Sequence, residues 1–294
     1  LGYRPNVIAR TMASGRSRVI GLVVAYLENY FYPEALEKLS TALQQRGYHV
    51  LVFMASQTAG NFDDVLEEIL DHQVDGIVAA SVALGSDLCD RCRSAGVPVV
   101  LFNRSQDDAT LSAVTSDNVA GGRKVAELLM AGGHRRIAYI AGWEGASTQR
   151  DREFGFRAGL AQGGHRLHAR AVGDFRLDTA RAAARTMFAG PDRPDAVFVA
   201  NDHMAFGVMD VLRSELGLAI PGDVSVVGYD DVPPAAWPAY DLTTVRQAAN
   251  PMVAEVVSIL MAQIEQGETE PRRIAIEAPL KLRSSARIPK DWTQ

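Results

Sequence analysis

The chain has 294 residues, 47% of them hydrophobic and 22% charged, with 30 Lys and Arg against 35 Asp and Glu for a formal charge of −5. This ordinary globular composition excludes disordered and collagen-like classes, and the length suffices for two lobes that each bury a core. No window reaches the roughly 18 apolar residues of a membrane helix, and nothing reads as a secretory signal, so a cytoplasmic protein with no membrane partner is expected.

Charge is unevenly spread along the chain. The first 18 residues carry Arg4, Arg10, Arg16 and Arg18 and no acid, which leaves the remainder net acidic. A basic stub on an acidic body suggests two partners. Residues 19–25 then read as a buried strand, and 34–46 as a helix with Ala35, Leu36, Leu39, Ala42 and Leu43 at helical spacing and Gly47 as its stop. A strand over 50–54, a helix over 62–71, a strand over 76–80, a helix over 86–95 and a strand over 97–102 continue the alternation.

A second series follows the polar loop at 105–109. It comprises a helix over 118–131, a strand over 137–141, a helix over 151–161, a short strand near 169–172, a helix over 177–188, a strand over 196–200, a helix over 204–215 and a strand over 224–229. Continuous apolar strands of this kind belong to parallel sheets covered by helices on both faces. The expected fold class is therefore α/β, with two doubly wound parallel-sheet lobes and a ligand cleft between them at the carboxyl ends of the strands. A helix over 251–266 and a strand over 273–276 should return to the first lobe. The expected domains are a hinge or linker over 1–18, an N-terminal lobe over 19–116 plus 248–276, and a C-terminal lobe over 117–247 plus 277–294.

Catalytic signatures are missing: the chain has no G-x-S-x-G, H-E-x-x-H, G-x-G-x-x-G after the first strand, or G-x-x-x-x-G-K-[ST], and an enzyme is not expected. Gly121-Gly122-Arg123-Lys124 lies inside a helical pattern and lacks the glycine spacing of a phosphate loop. Cys89 and Cys92 form C-x-x-C on a helix without the two further ligands a zinc site needs, and His165 and His168 sit in a polar connection without a third ligand. Ordinary thiols and solvated histidines are the reading, with no metal and no cofactor.

Among the acidic pairs, Asp63-Asp64 opens a helix and Asp107-Asp108 lies in a loop, where solvation explains them. Asp230-Asp231 differs because it ends a buried strand. Asn201-Asp202 and Asn103-Arg104 end two others, so three strand ends deliver polar groups. Such a set suits a polyhydroxylated ligand: amides and carboxylates meet hydroxyls, Arg152 supplies a bidentate fork, and Phe31, Phe175 or Trp237 cover C–H faces.

These residues together resemble the LacI/GalR family of bacterial transcription regulators along essentially the whole chain. The matches include Leu1 to Asn6, Ala9-Arg10, Ile20 to Val24, Asn29 with Phe31, Asp75-Gly76-Ile77, Ser116-Asp117-Asn118, Gly132 to Ile137, Arg152 with Gly155-Phe156, Asn201-Asp202 with Met204-Ala205, Val224 to Asp231 and Leu242 to Val245. The resemblance implies a periplasmic-binding-protein-like body of type I, an N-terminal helix-turn-helix head ahead of the Leu-Gly-Tyr stub, and a homodimer that binds operator DNA in the full-length protein. It implies a DNA-contacting hinge helix with Asn6, Ala9, Arg10 and Met12, where Met12 stands in place of the usual Leu wedge.

By the same resemblance the effector site comprises Tyr30, Phe31, Asn103, Arg104, Thr148, Arg152, Phe175, Asn201, Asp230 and Gln247. Two departures stand out: Asn103 replaces a frequent Asp, and the family's Asn-Pro-Phe-Phe run is Asn29-Tyr30-Phe31-Tyr32 here. A sugar, a sugar acid or a purine all remain open as effector. The implied function is a ligand-responsive regulator, expected to be a repressor, whose DNA affinity the effector alters. The rival is a periplasmic sugar-binding protein of a transport system, which shares the fold but has no reason to carry the stub. Leu39 and Leu43, on a first-lobe helix, are candidates for the dimer face.

Overall fold

A computed structural model of the chain describes residues 16–55, 62–81, 86–106, 110–289 and 292. Asn6, Ala9, Arg10 and Met12 of the expected hinge, and Asp107-Asp108, lie outside the described residues. The chain divides into two compact units: residues 1–27, 32–115 and 249–274 form one, and residues 28–31, 116–248 and 275–294 the other.

The first unit holds β1 (Val19–Val24), α1 (Phe31–Gln45, from its second residue on), β2 (His49–Met54), α2 (Phe62–Asp71), β3 (Gly76–Ala80), α3 (Ser86–Ser94), β4 (Val99–Phe102) and β5 (Ser112–Ser116, except its last residue). The second holds α4 (Asn118–Ala131), β6 (Ile137–Ala141), α5 (Ser147–Gln162), β7 (Ala169–Val172), α6 (Leu177–Phe188), β8 (Ala196–Val199), α7 (Asp202–Asp210), β9 (Ser225–Asp230) and β10 (Thr243–Arg246). Helix α8 (Ala249–Met261) and strand β11 (Arg273–Ile276) then bring the chain back to the first sheet, and β12 (Leu280–Lys281) to the second. The helices α7 and α8 each run on into a π-helical turn, at Val211–Glu215 and Ala262–Gln266.

The two sheets share one topology, with orders β11-β5-β4-β3-β1-β2 and β12-β10-β9-β8-β6-β7. In each, the first strand sits inside the sheet and later strands add outward on one side, in parallel register, while β12 pairs antiparallel to β10. Buried strands such as β3, β4, β6, β8 and β9 are closed to solvent along their whole length, which is why they read as unbroken apolar runs.

Two strands escape that reading because hydroxyls hold them. In β5, Ser112 Oγ accepts from the backbone N–H of Arg272 and from Gln263 Nε2. In β10, Thr243 Oγ1 donates to the Arg283 carbonyl and accepts from the Arg283 N–H, while Thr244 Oγ1 donates to Asp202 Oδ1 at 2.6 Å. A side chain that replaces a water partner can be buried at little net cost, so polarity here marks a pairing site rather than a loop.

The structure corrects the expected dimer face: Leu39 and Leu43 are wholly buried in the first unit. Amphipathic spacing locates an apolar stripe without saying whether the chain's own sheet covers it. The end of the basic stub is likewise committed. Ser17 donates through both N and Oγ to Asp75 Oδ1, the Arg18 N–H donates to Asp75 Oδ2, and Arg16 Nη2 donates to the Ile264 carbonyl at 2.8 Å.

Gly121-Gly122 sits inside α4, where glycine serves helix packing rather than phosphate binding. A Cβ on Gly122 would lie 2.2 Å from the Arg152 carbonyl oxygen, and one on Gly155 would lie 2.0 Å from the Val119 carbonyl oxygen. Helices α4 and α5 therefore meet backbone to backbone. Gly155→Ala should cost about 3 kcal/mol or more in urea denaturation, since neither partner is a movable side chain. A cost below 1 kcal/mol would disprove this close approach.

Candidate effector site

The close seam between α4 and α5 sets the spacing of the second unit's main polar cluster. Asn118 opens α4, and Arg152 lies one turn into the buried face of α5. Arg152 is 2% exposed, and its charge is answered from inside the protein. Its Nε donates to Asn118 Oδ1 at 2.8 Å and Nη1 donates to the Ala200 carbonyl at 2.6 Å. Nη2 lies 3.7 Å from Asp230 Oδ1, and the guanidinium carbon stands 3.7 Å from the centre of the Tyr229 ring. A buried cation needs such partners: two of the three guanidinium nitrogens bond protein oxygens, and the third faces Asp230.

Asp230 ends β9 with a positive φ of 125°, a backbone state that non-glycine residues seldom adopt. Its two oxygens accept from Asn29 Nδ2 at 2.9 Å and Gln247 Nε2 at 2.7 Å. Burial pushes its carboxyl up to about 6, against the pull of Arg152 and of the two amides. Asp202, behind it and fully buried, is raised well above the ordinary carboxylate range, first by burial and then by the charge of Asp230. The neighbouring Asp231 faces elsewhere, pinned by Arg246 and Arg283 at 2.6 Å each. The acidic pair thus divides into one carboxylate for the cluster and one for the fold.

Two amide orientations in the cluster are fixed by partners of one polarity. Asn201 caps α7, its Oδ1 accepting from the Met204 N–H at 3.0 Å, which turns Nδ2 away. Gln247 must give Nε2 to the Asp230 carboxylate, which turns Oε1 away. Asn201 Nδ2 and Gln247 Oε1 are both buried without a hydrogen-bond partner among the described residues. One donor and one acceptor are therefore held ready beside Asp230, each costing stability until it is met.

The remaining expected residues lie where their local structure puts them. Thr148 is buried in the first turn of α5, and Phe175, at φ 57°, lays its ring across Gly142 at the end of β6. Tyr30 is 49% exposed, whereas Phe31 is buried and gives its N–H to Asn29 Oδ1. Asn103 and Arg104 belong to the first unit, buried at the end of β4. Trp237 is 52% exposed beyond the short helix at Pro233–Ala236. Hydrogen bonds and one ion pair thus join Arg152, Asp230 and Gln247 of the expected set, with Asn29 and Asn118 added and the Tyr229 ring against the guanidinium. Asn29 and Asn118 carried a signal, each standing at a helix start, but their partners lie far off in sequence.

Among the described residues, no group of three or more His, Cys, Asp and Glu is placed to hold a metal, and no helix is long and apolar enough to cross a membrane. Cys92 is buried in α3; the side chain of Cys89 lies outside those described.

Residues 126–286 match the family model of the periplasmic binding protein-like domain. The HTH-type transcriptional regulator CelR of Thermobifida fusca is 34% identical over 97% of this chain and 86% of that protein. A solved CelR–cellobiose complex superposes with a TM-score of 0.84 at 30% identity, covering 95% of this chain and 89% of that one. The lac repressor dimer bound to operator and the anti-inducer ONPF gives 0.86 at 25% identity, covering 97% and 99%. The fold and these polar strand ends define a periplasmic-binding-protein-like effector domain. More particularly, the chain belongs to the LacI/GalR family of transcription regulators.

Removing the guanidinium strands a buried carboxylate, so Arg152→Ala should cost about 3–5 kcal/mol at neutral pH, read by urea denaturation. A loss under about 1 kcal/mol would show that the cluster does not depend on it. The Asp230 carboxyl should titrate in the folded chain near 6, against 3.8 for an ordinary aspartate, and higher still in Arg152→Ala. Because the folded state binds the proton more tightly, this carboxyl supports folding most at low pH, and its contribution falls as pH rises from about 4 to about 6. Carbon-13 NMR of the carboxyl gives the midpoint directly; a midpoint at or below 3.8 contradicts the assignment.

Proposed function

We propose that this chain is the effector-binding body of a cytoplasmic, homodimeric repressor without enzymatic activity, and that its effector is a sugar. The observation that carries the effector class is the oriented pair Asn201 Nδ2 and Gln247 Oε1 beside Asp230. A hydroxyl both donates and accepts, so adjacent hydroxyls can satisfy a donor and an acceptor together. A carboxylate accepts only and cannot meet Gln247 Oε1, which favours a neutral sugar over a sugar acid. Tyr30, Phe31, Asn103, Arg104, Thr148, Arg152 and Phe175 complete the proposed effector set.

Relatives named as transcription regulators support this reading over a transport-system binding protein. Operator binding through Asn6, Ala9, Arg10 and Met12 rests on the family resemblance and on the operator-bound lac repressor. By linkage, effector and operator then change each other's affinity by one shared factor. For the dimer, the exposed apolar side chains Val52 and Met54, on one side of the edge strand β2, supply a face in place of Leu39 and Leu43.

A thermal-shift panel of cellobiose, ribose, gluconate and hypoxanthine tests the effector class. A sugar at a hundred times its Kd should stabilise by about 2.7 kcal/mol, and Gln247→Ala should weaken that sugar about tenfold by calorimetry. Stabilisation by gluconate or hypoxanthine alone would overturn the reading. Sedimentation at micromolar concentration should give a dimer that Val52→Asp converts to monomer; a monomeric parent chain would refute the proposed face.

A further inference from the structure

The first unit carries a second pair of orphaned polar atoms, on Asn103, which the family resemblance names, and on Ser81, which it does not. Strands β3 and β4 pair in parallel with Ala80 opposite Phe102, so Ser81 and Asn103 are the next residues on two neighbouring strands. Both leave the strand in the left-handed region, Ser81 at φ 64° and Asn103 at φ 69°. Both are buried, at 0% and 3% exposure. Ser81 Oγ and Asn103 Oδ1 each have no hydrogen-bond partner among the described residues.

Backbone geometry alone does not call for these residues. Glycine would take either turn without strain, and a buried hydroxyl or amide oxygen without a partner costs roughly 1–3 kcal/mol. The orientation of Asn103 is also held in place. Its Nδ2 donates to the Tyr32 hydroxyl at 3.0 Å, and the Tyr32 ring is itself 4% exposed and packed on Tyr26 at 5.3 Å between ring centres. With the amide nitrogen so engaged, the oxygen is what Asn103 presents.

We propose that Ser81 and Asn103 form a hydroxyl-recognition point at the carboxyl ends of β3 and β4, with Ser81 a direct effector contact and Tyr32 the positioning residue that orients Asn103. This rests on the reading of the protein as a sugar-responsive regulator and deepens it. Ser81 Oγ–H donates and Asn103 Oδ1 accepts, so together they match one hydroxyl, which accepts the first bond and donates the second. A deoxy carbon offers neither bond, and a ketone or carboxylate oxygen offers only one. The pair therefore selects for a hydroxyl at one ring position of the sugar.

The test is calorimetry of the whole chain with cellobiose, ribose, glucose and galactose, followed by the monodeoxy analogues of whichever binds most tightly. One analogue should bind the parent chain about 10–100-fold more weakly than the complete sugar. Ser81→Ala should weaken the complete sugar about tenfold and largely erase its advantage over that analogue, with ligand-free thermal stability unchanged or raised. Tyr32→Phe should weaken binding similarly, and weaken it no further in an Asn103→Ala background. If Ser81→Ala keeps both the affinity and the discrimination of the parent chain, the orphaned hydroxyl is structural and this proposal fails while the sugar reading stands. If the parent chain binds none of the four sugars, the sugar reading itself fails and takes the proposal with it.

Discussion

One buried guanidinium organises the second unit. Arg152 draws together the start of α4 through Asn118, the end of β8 through the Ala200 carbonyl, and the end of β9 through Asp230 and the Tyr229 ring. A cation out of water is expensive, so each of these elements is held where it can answer the charge. Asp230 in turn fixes Asn29 and Gln247, and Asn201 follows directly on the Ala200 carbonyl. The polar rim of the site is thus the outer layer of a charge-compensation network.

That network depends on sterics as much as on charge. Side chains as long as arginine reach their partners only from a suitable distance, and the glycine seam sets that distance. Beneath it, Tyr139, Phe156, Phe198 and Tyr229 form a tilted aromatic cluster with ring centres 5.0–6.5 Å apart, a stiff floor under the guanidinium. Burial raises the Tyr229 hydroxyl to about 12, which keeps the ring neutral and able to face the cation without competing for its protons.

The sequence made the fold class legible because strands buried on both faces cannot alternate polarity, and runs such as Val-Val-Leu-Phe and Ala-Val-Phe-Val are read without reference to anything distant. It concealed β5 and β10, whose serines and threonines are polar in composition but satisfied in place. Helix α5 begins at Ser147, four residues before its apolar periodicity does, because its first turn is polar. In the site, Asp230, Asn201 and Asn103 were legible from their position after apolar strands. Tyr229 was not, since a platform is defined by the residue it serves, and Asn118 showed only as a helix start, without its partner. For Arg152 the sequence shows a cation near a polar cluster, and only the structure shows that Asn118 and the Ala200 carbonyl hold two of its N–H groups.

Four of the residues around these strand ends share a backbone property with a different kind of consequence. Ser81, Asn103, Phe175 and Asp230 all have φ between 57° and 125°. Side chains other than glycine, asparagine and aspartate pay for such conformations, so the repertoire of substitutions at these positions is narrow. A change of ligand preference is reached more easily at a residue with ordinary backbone, such as Gln247, where a change of one atom alters an amide without disturbing the chain path.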